Sequence, residues 1–162
     1  GQMPTLADWE DHLSTIFPEV RLKTFLEMRG TDAGPWGRLC ALPAFWTGLL
    51  YNSQSLDACW DLVKDWSNEQ RESLYRAVPK QGLKAEVAGR SLQHIALEVI
   101  DIAREGLSLR SALDSAGNDE TGFLMPLQDI ASSGITPAEQ MLDAYYKDWK
   151  GDISKLFSEY SY

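Results

Sequence analysis

The chain has 162 residues, 44% hydrophobic and 24% charged, the balance of a folded domain and not of a disordered segment. Its 24 acids outnumber its 15 bases, for a net charge of −9, which excludes a partner held mainly through a nucleic-acid backbone but leaves small anionic ligands open. Two cysteines, no apolar run of about 18 residues, and an opening "GQMPTLADWE" with no basic-then-apolar pattern argue against a disulfide framework, a zinc ribbon, a membrane span and a signal peptide.

In chain order, Thr5 reads as a helix N-cap with Asp8 three residues on. Leu6, Trp9, Leu13 and Ile16 recur at helical spacing until Pro18. Val20 to Arg29, "VRLKTFLEMR", alternates and predicts one strand. Its odd positions, Arg21, Lys23, Phe25, Glu27 and Arg29, form a charged face. Val20, Leu22, Thr24, Leu26 and Met28 form an apolar face suited to anchoring on neighbouring helices. "GTDAGPWG" is a loop. Trp36 to Tyr51 carries a single charge, Arg38, and predicts a helix buried nearly all round, kinked or divided at Pro43.

Ser53 or Ser55 opens the next helix, with Leu56, Cys59, Trp60, Val63 and Trp66 as its apolar stripe. Ser67 opens another, which Pro79 closes. "KQGLKAEVAGR" reads as a loop with weak strand character. Ser91 caps the longest helix, lined by Leu92, Ile95, Ala96, Val99, Ile102, Ala103 and Leu107. "DSAGNDETG" reads as a mobile polar loop, and a short helix ends at Gly134. "TPAE", Thr136 to Glu139, joins an N-cap threonine, a proline at N1 and a glutamate at N3. Met141, Leu142, Tyr145 and Trp149 follow on one face, and the tail holds one more turn. The fold class is mostly α, with about seven helices and one or two strands. The partner for the first strand lies either in Lys80–Arg90 or outside the chain, since a lone strand leaves its backbone groups unpaired.

Chemistry concentrates on the charged strand face. Side chains two apart on a strand sit roughly 6.5–7 Å from each other on one side. Glu27 offers the hard oxygen that suits Mg²⁺, and Arg29 a fork that suits a carboxylate or phosphoryl oxygen. The same pattern also fits a solvated face of mixed charge with cross-strand pairs. Cys59 and Cys40 fit buried, inert thiols. His12 and His94, without a neighbouring nucleophile or Cys/His cluster, fit surface or packing roles. "NDET" fits a plain loop, and Trp36, Trp46, Trp60 and Trp66 fit the core.

Asp8 to Tyr51, "DWEDHLSTIFPEVRLKTFLEMRGTDAGPWGRLCALPAFWTGLLY", closely resembles the plant-type and proteobacterial glutamate–cysteine ligases. So do "VPKQGLKA", "AREGL", "GFLMPLQDIASSGITPAEQML" and the terminal "FSEYSY". The resemblance runs over essentially the whole chain and implies the first step of glutathione synthesis. In that step ATP phosphorylates the γ-carboxylate of L-glutamate and the amine of L-cysteine displaces the phosphate. It implies a glutamine-synthetase-like catalytic sheet to which the strand belongs, with Glu27 on Mg²⁺ and Arg29 catalytic on substrate oxygens. Arg21 and Lys23 become substrate-binding candidates. In the plant branch, Cys40 resembles one member of a regulatory disulfide whose partner lies upstream. The first residue is Gly1 and not methionine, which fits a fragment, and the resemblance implies the C-terminal part of such a ligase, inactive without the remainder. The expected compartment is a bacterial cytoplasm, or a plastid in a plant. Two other readings stand beside it: a non-catalytic helical module that stabilises the ligase or mediates a homodimer, and the same ligation serving ergothioneine synthesis.

Overall fold

The computed structural model describes residues 3–15 and 17–160. The chain divides into two compact units, Gly1–Ala33 and Gly34–Tyr162. Among the described residues there are eight α-helices and two two-stranded sheets, so the fold is mostly α, as the sequence predicts.

In the first unit, helix α1 spans Leu6–Ser14. Its start follows from side-chain chemistry. The Thr5 hydroxyl accepts the Asp8 N–H at 3.3 Å, and the Asp8 carboxylate accepts the Thr5 N–H at 2.6 Å. This reciprocal pairing satisfies two donors that a helix N-terminus otherwise leaves open. The apolar positions Leu6, Trp9 and Leu13 are exposed, and α1 has no buried residue. Ile16, the fourth member of that stripe, lies outside the described residues.

The expected single strand from Val20 to Arg29 is instead a hairpin. Strands β1 (Val20–Leu22) and β2 (Leu26–Met28) pair antiparallel, with Val20 opposite Met28, Arg21 opposite Glu27 and Leu22 opposite Leu26. The chain reverses over Lys23, Thr24 and Phe25, where the Lys23 N–H donates to the Phe25 carbonyl at 2.8 Å. The partner strand is therefore neither in Lys80–Arg90 nor external to this segment. The expectation for the apolar face also fails: Val20, Leu22 and Leu26 are exposed, while Arg21, Glu27 and Arg29 are half-buried.

The second unit is built on two helices, α2 (Trp36–Leu50) and α5 (Leu92–Arg110). Helix α2 runs through Pro43 as one element and buries only one side, Ala41, Ala44, Gly48 and Leu49. Trp36, expected inside, is 77% exposed. The two helices meet where neither can carry a side chain. A Cβ on Gly106 would stand 2.6 Å from Ser55 Oγ and 2.9 Å from the Gly48 carbonyl carbon, with the oxygen closer still. A Cβ on Gly48 would stand 2.8 Å from the Ala103 carbonyl carbon. Around this crossing, Ala44, Leu49, Ile100, Ala103, Leu107, Leu124 and Ala131 form the core, with Phe45, Trp46, Cys59 and Leu127 packed against it. Ile100 and Gly106 belong to the buried side of α5 although the predicted stripe omits them.

Helix α3 (Ser53–Val63) is capped by Asn52, whose side chain accepts the Ser55 N–H at 3.1 Å; neither Ser53 nor Ser55 is the cap. Only part of its stripe is covered, since Trp60 and Leu56 are exposed. Helix α4 (Asn68–Gln81) starts with a Ser67–Gln70 capping box and continues two residues past Pro79. A proline that close to the C-terminus disturbs little beyond the final turn. Strands β3 (Glu86–Val87) and β4 (Arg90–Ser91) pair across a two-residue turn. Ala88 and Gly89 both have positive φ there, 51° and 75°, as a type I′ turn requires.

Ser91 caps α5 as expected, and its hydroxyl also lies 3.0 Å from His94 Nδ1. The loop after α5 is held by its own hydrogen bonds: Asp114 Oδ1 accepts the backbone N–H groups of Ala116 and Asn118 at 2.8 and 2.9 Å. A 3₁₀ turn at Glu120–Leu124 leads into α6 (Met125–Ser133), ended by Gly134 at φ 68°. Gln93 Nε2 donates to the Ala131 carbonyl at 2.8 Å and so covers part of that helix end. Helix α7 (Pro137–Lys147) has the Thr136–Glu139 capping box and no buried residue. Helix α8 (Lys155–Glu159) is the predicted last turn. Trp149, between them, is buried, and its indole N–H donates to Glu159 at 2.9 Å.

Candidate active site

The hairpin gathers three of the predicted site residues. Facing residues of an antiparallel pair share a side, as do residues two apart on one strand. The register therefore puts Arg21 and Glu27 on one side, and Arg29 continues it. In one extended strand Arg21 and Glu27 would lie about 20 Å apart. Here the Arg21 Nε donates to Glu27 Oε2 at 2.7 Å. Arg29 Nη1 stands 3.6 Å from the same oxygen, beyond hydrogen-bond distance. Neither contact uses Oε1. The cross-strand pair is what a solvated mixed-charge face would also form, so it does not decide between the two readings.

The Arg21 hydrogen bond holds the Glu27 carboxyl below its ordinary value, aided by the charges of Arg21, Arg29 and Lys23 against some desolvation. Glu27 is thus an anion at neutral pH. The three side chains together keep an excess of one positive charge, which suits an anionic ligand. Lys23 lies in the exposed turn and forms no ion pair among the described residues. Phe17 is the residue that pattern reasoning overlooks: its ring centroid lies 4.5 Å from Arg29 Cζ. An aromatic just outside a charged strand carries no signal of that contact until the hairpin closes.

Among the described residues no group of three or more His, Cys, Asp or Glu is placed to hold a metal ion. Glu27 supplies one hard oxygen donor, which fits the one or two carboxylates that Mg²⁺ usually takes beside waters and substrate phosphates. In the second unit, Cys40 and Cys59 are free, half-buried thiols, less enclosed than expected. Desolvation raises the Cys59 value, which keeps that thiol protonated. An open depression there is lined by Leu113, Asp114, Asn118, Asp119, Glu120 and Phe123. Its acids are already engaged: Asp114 in its own loop, Asp119 on the Thr121 N–H, and Glu120 beside Arg110 at 3.1 Å.

The model of glutamate-cysteine ligase family 2 matches residues 2–159. The chain belongs to that family. The chloroplastic glutamate–cysteine ligase of Solanum lycopersicum is 49% identical over 162 residues, covering 100% of this chain and 30% of its own length. Glutamate–cysteine ligase A, chloroplastic, of Oryza sativa subsp. indica is 49% identical over the same span, 32% of its length. The chloroplastic enzyme of Arabidopsis thaliana is 48% identical and matched over 30% of its length. The chain therefore spans about 30% of the length of the curated relatives it matches. Membership in the glutamate–cysteine ligase family agrees with the resemblance read from Asp8–Tyr51. No helix among the described residues is long and apolar enough to cross a membrane.

Proposed function

We propose that this chain is the C-terminal part of an ATP-dependent glutamate–cysteine ligase and carries one wall of its active site. The observation that carries the reading is the match along the whole chain to ligases of this name. The hairpin supports it by setting an ionised carboxylate beside two guanidinium groups. In the proposed reaction, an oxygen of the L-glutamate γ-carboxylate attacks the γ-phosphorus of ATP and ADP leaves. The L-cysteine amine then attacks the acyl carbon, inorganic phosphate leaves, and γ-glutamylcysteine forms. That is the first step of glutathione synthesis.

Arg29 would donate N–H groups to the oxygens of the glutamyl or phosphoryl group, with the fork geometry that such oxygens accept. Arg21 orients Glu27 and adds positive charge. Lys23, on the turn, would reach the more distant charge of a polyanionic substrate. Glu27 would hold Mg²⁺ with ligands from the rest of the ligase; bound there, the ion supplies charge neutralisation on the phosphates. Every other metal and nucleotide contact would come from residues outside this chain, so the isolated chain is expected to be inactive. Chloroplastic names among the relatives favour a plastid, with a bacterial cytoplasm as the other setting. The regulatory disulfide that the resemblance implies for Cys40 would take its partner thiol from upstream of this chain. The two helical-module and ergothioneine readings have no observation of their own in their favour.

The test has two arms. The isolated chain, given ATP, Mg²⁺, glutamate and cysteine, should form no γ-glutamylcysteine. In the intact ligase, Arg29→Lys should lose most of its activity, because a point charge does not replace a bidentate fork. Wild-type kinetics in that variant would return the hairpin to a plain surface role.

A further inference from the structure

The Glu27 carboxylate forms ion pairs with two arginines but accepts a hydrogen bond from only one of them. Arg21 forms the hydrogen bond at 2.7 Å, while Arg29, two residues along the same face, stops at 3.6 Å. Arginine is long and flexible enough to close that gap, and a fork-to-fork pair would be the ordinary outcome for an Arg beside a carboxylate. Such a pair would cancel the charge of Arg29 and occupy the donors that a substrate oxygen needs.

Something else holds the guanidinium. The Phe17 ring lies 4.5 Å from Arg29 Cζ, inside the range where a cation is attracted to an aromatic face. The backbone puts the ring there: the Arg29 N–H donates to the Glu19 carbonyl at 2.7 Å, so the segment Phe17–Glu19 lies beside the end of β2. Pro18 stiffens the step between them. Phe17 is itself 69% exposed, so it adds little to a core.

We infer that Phe17 is a positioning residue for Arg29: its ring holds the guanidinium off the Glu27 carboxylate, leaving Arg29 for an anionic oxygen and Glu27 for a cation. Arg21 completes the arrangement by filling the side of the carboxylate that Arg29 would otherwise take. The inference rests on the active-site reading proposed above.

The experiment uses the intact ligase and steady-state kinetics with glutamate varied. Phe17→Leu keeps apolar bulk and removes the ring. It should lower kcat/KM about fivefold, the upper end for a cation–π contact at an exposed site. Phe17→Tyr restores a ring and should return to within about twofold of wild type by the same reasoning. The melting midpoint should not separate the three proteins. Phe17→Leu indistinguishable from wild type, or a Phe17→Tyr that fails to rescue, overturns the inference. Arg29→Gln in parallel separates the two levels. A crippled Arg29→Gln with a silent Phe17→Leu refutes the positioning role only; an active Arg29→Gln refutes the active-site reading beneath it.

Discussion

Gly106→Ala is the sharpest probe of the helical unit. On propensity alone the change should stabilise, because alanine in a helix interior is favoured over glycine by about 1 kcal/mol. The packing says otherwise. The new methyl would stand 2.6 Å from Ser55 Oγ and 2.9 Å from the Gly48 carbonyl carbon, against 3.4 Å for ordinary contact. The serine hydroxyl can rotate; the Gly48 carbonyl belongs to a helix backbone and cannot. The carbonyl oxygen is closer still, so helices α2 and α5 must move apart by about an ångström or more, and that loosens the packing of Leu49, Ile100 and Leu107 together. Overpacking of this kind costs about 3 kcal/mol at the upper end of its usual range. Subtracting the propensity gain leaves a destabilisation of about 2 kcal/mol. For a chain of this size that lowers the melting midpoint by roughly 4–8 °C, read by far-UV circular dichroism. Gly37→Ala is the control: its Cβ would meet Pro126 Cγ at 3.4 Å, and it should be neutral or slightly stabilising. If Gly106→Ala melts at or above the wild-type temperature, the close helix crossing is not as described.

Leu107→Ala should cost about 2–5 kcal/mol, since Leu107 is wholly enclosed and the cavity has little room to collapse; urea titration measures it. The Glu139 carboxyl is held down to about 2 by the Lys84 hydrogen bond first and by Thr136 next. Because the folded value is depressed, its contribution is present above pH 4.5 and disappears as pH falls toward 2; Glu139→Gln should flatten that part of the stability-versus-pH curve. In the intact ligase, Glu27→Gln should raise the Mg²⁺ concentration needed for half-maximal turnover and leave the fold in place. Unchanged metal dependence would remove Glu27 from the site.

How far the sequence could be read depended on how local the physics was. The starts at Thr5, Ser91 and Thr136 were legible because a cap is a contact between residues three apart. The cap at Asn52 is not legible because three polar residues compete for that position and only the backbone chooses among them. The hairpin is not legible because Lys23, Thr24 and Phe25 include no glycine, proline, asparagine or aspartate to mark a turn. Three of the five residues of the expected charged face, Arg21, Glu27 and Arg29, nevertheless stay together, for a simple reason of parity, while Lys23 and Phe25 fall in the turn. Partner numbers in this register share the same oddness, so odd residues stay together whether the segment is straight or folded back. What alternation could not supply was the distance: a cross-strand ion pair where an extended chain has remote charges. Pro43 and Pro79 look like boundaries in the sequence, yet tertiary packing carries one helix through the first and a last turn absorbs the second. Trp36 and Trp60 carry strong apolar signals and still lie on the surface.

Helix α7 is tethered at its ends and only half-covered along its length, at Met141, Ala144 and Tyr145. Thr136 stands where a Cβ on Gly82 would meet its methyl at 3.0 Å, Glu139 pairs with Lys84 at 2.7 Å, and beyond the far end Trp149 is seated against Glu159 and Tyr160. Between those moorings no residue is fully buried, and the Lys84 ammonium is open to counter-ions. High salt therefore slackens the front mooring while leaving the oily centre of the unit untouched, and the amides of α7 trade hydrogen for deuterium faster than they do in dilute buffer.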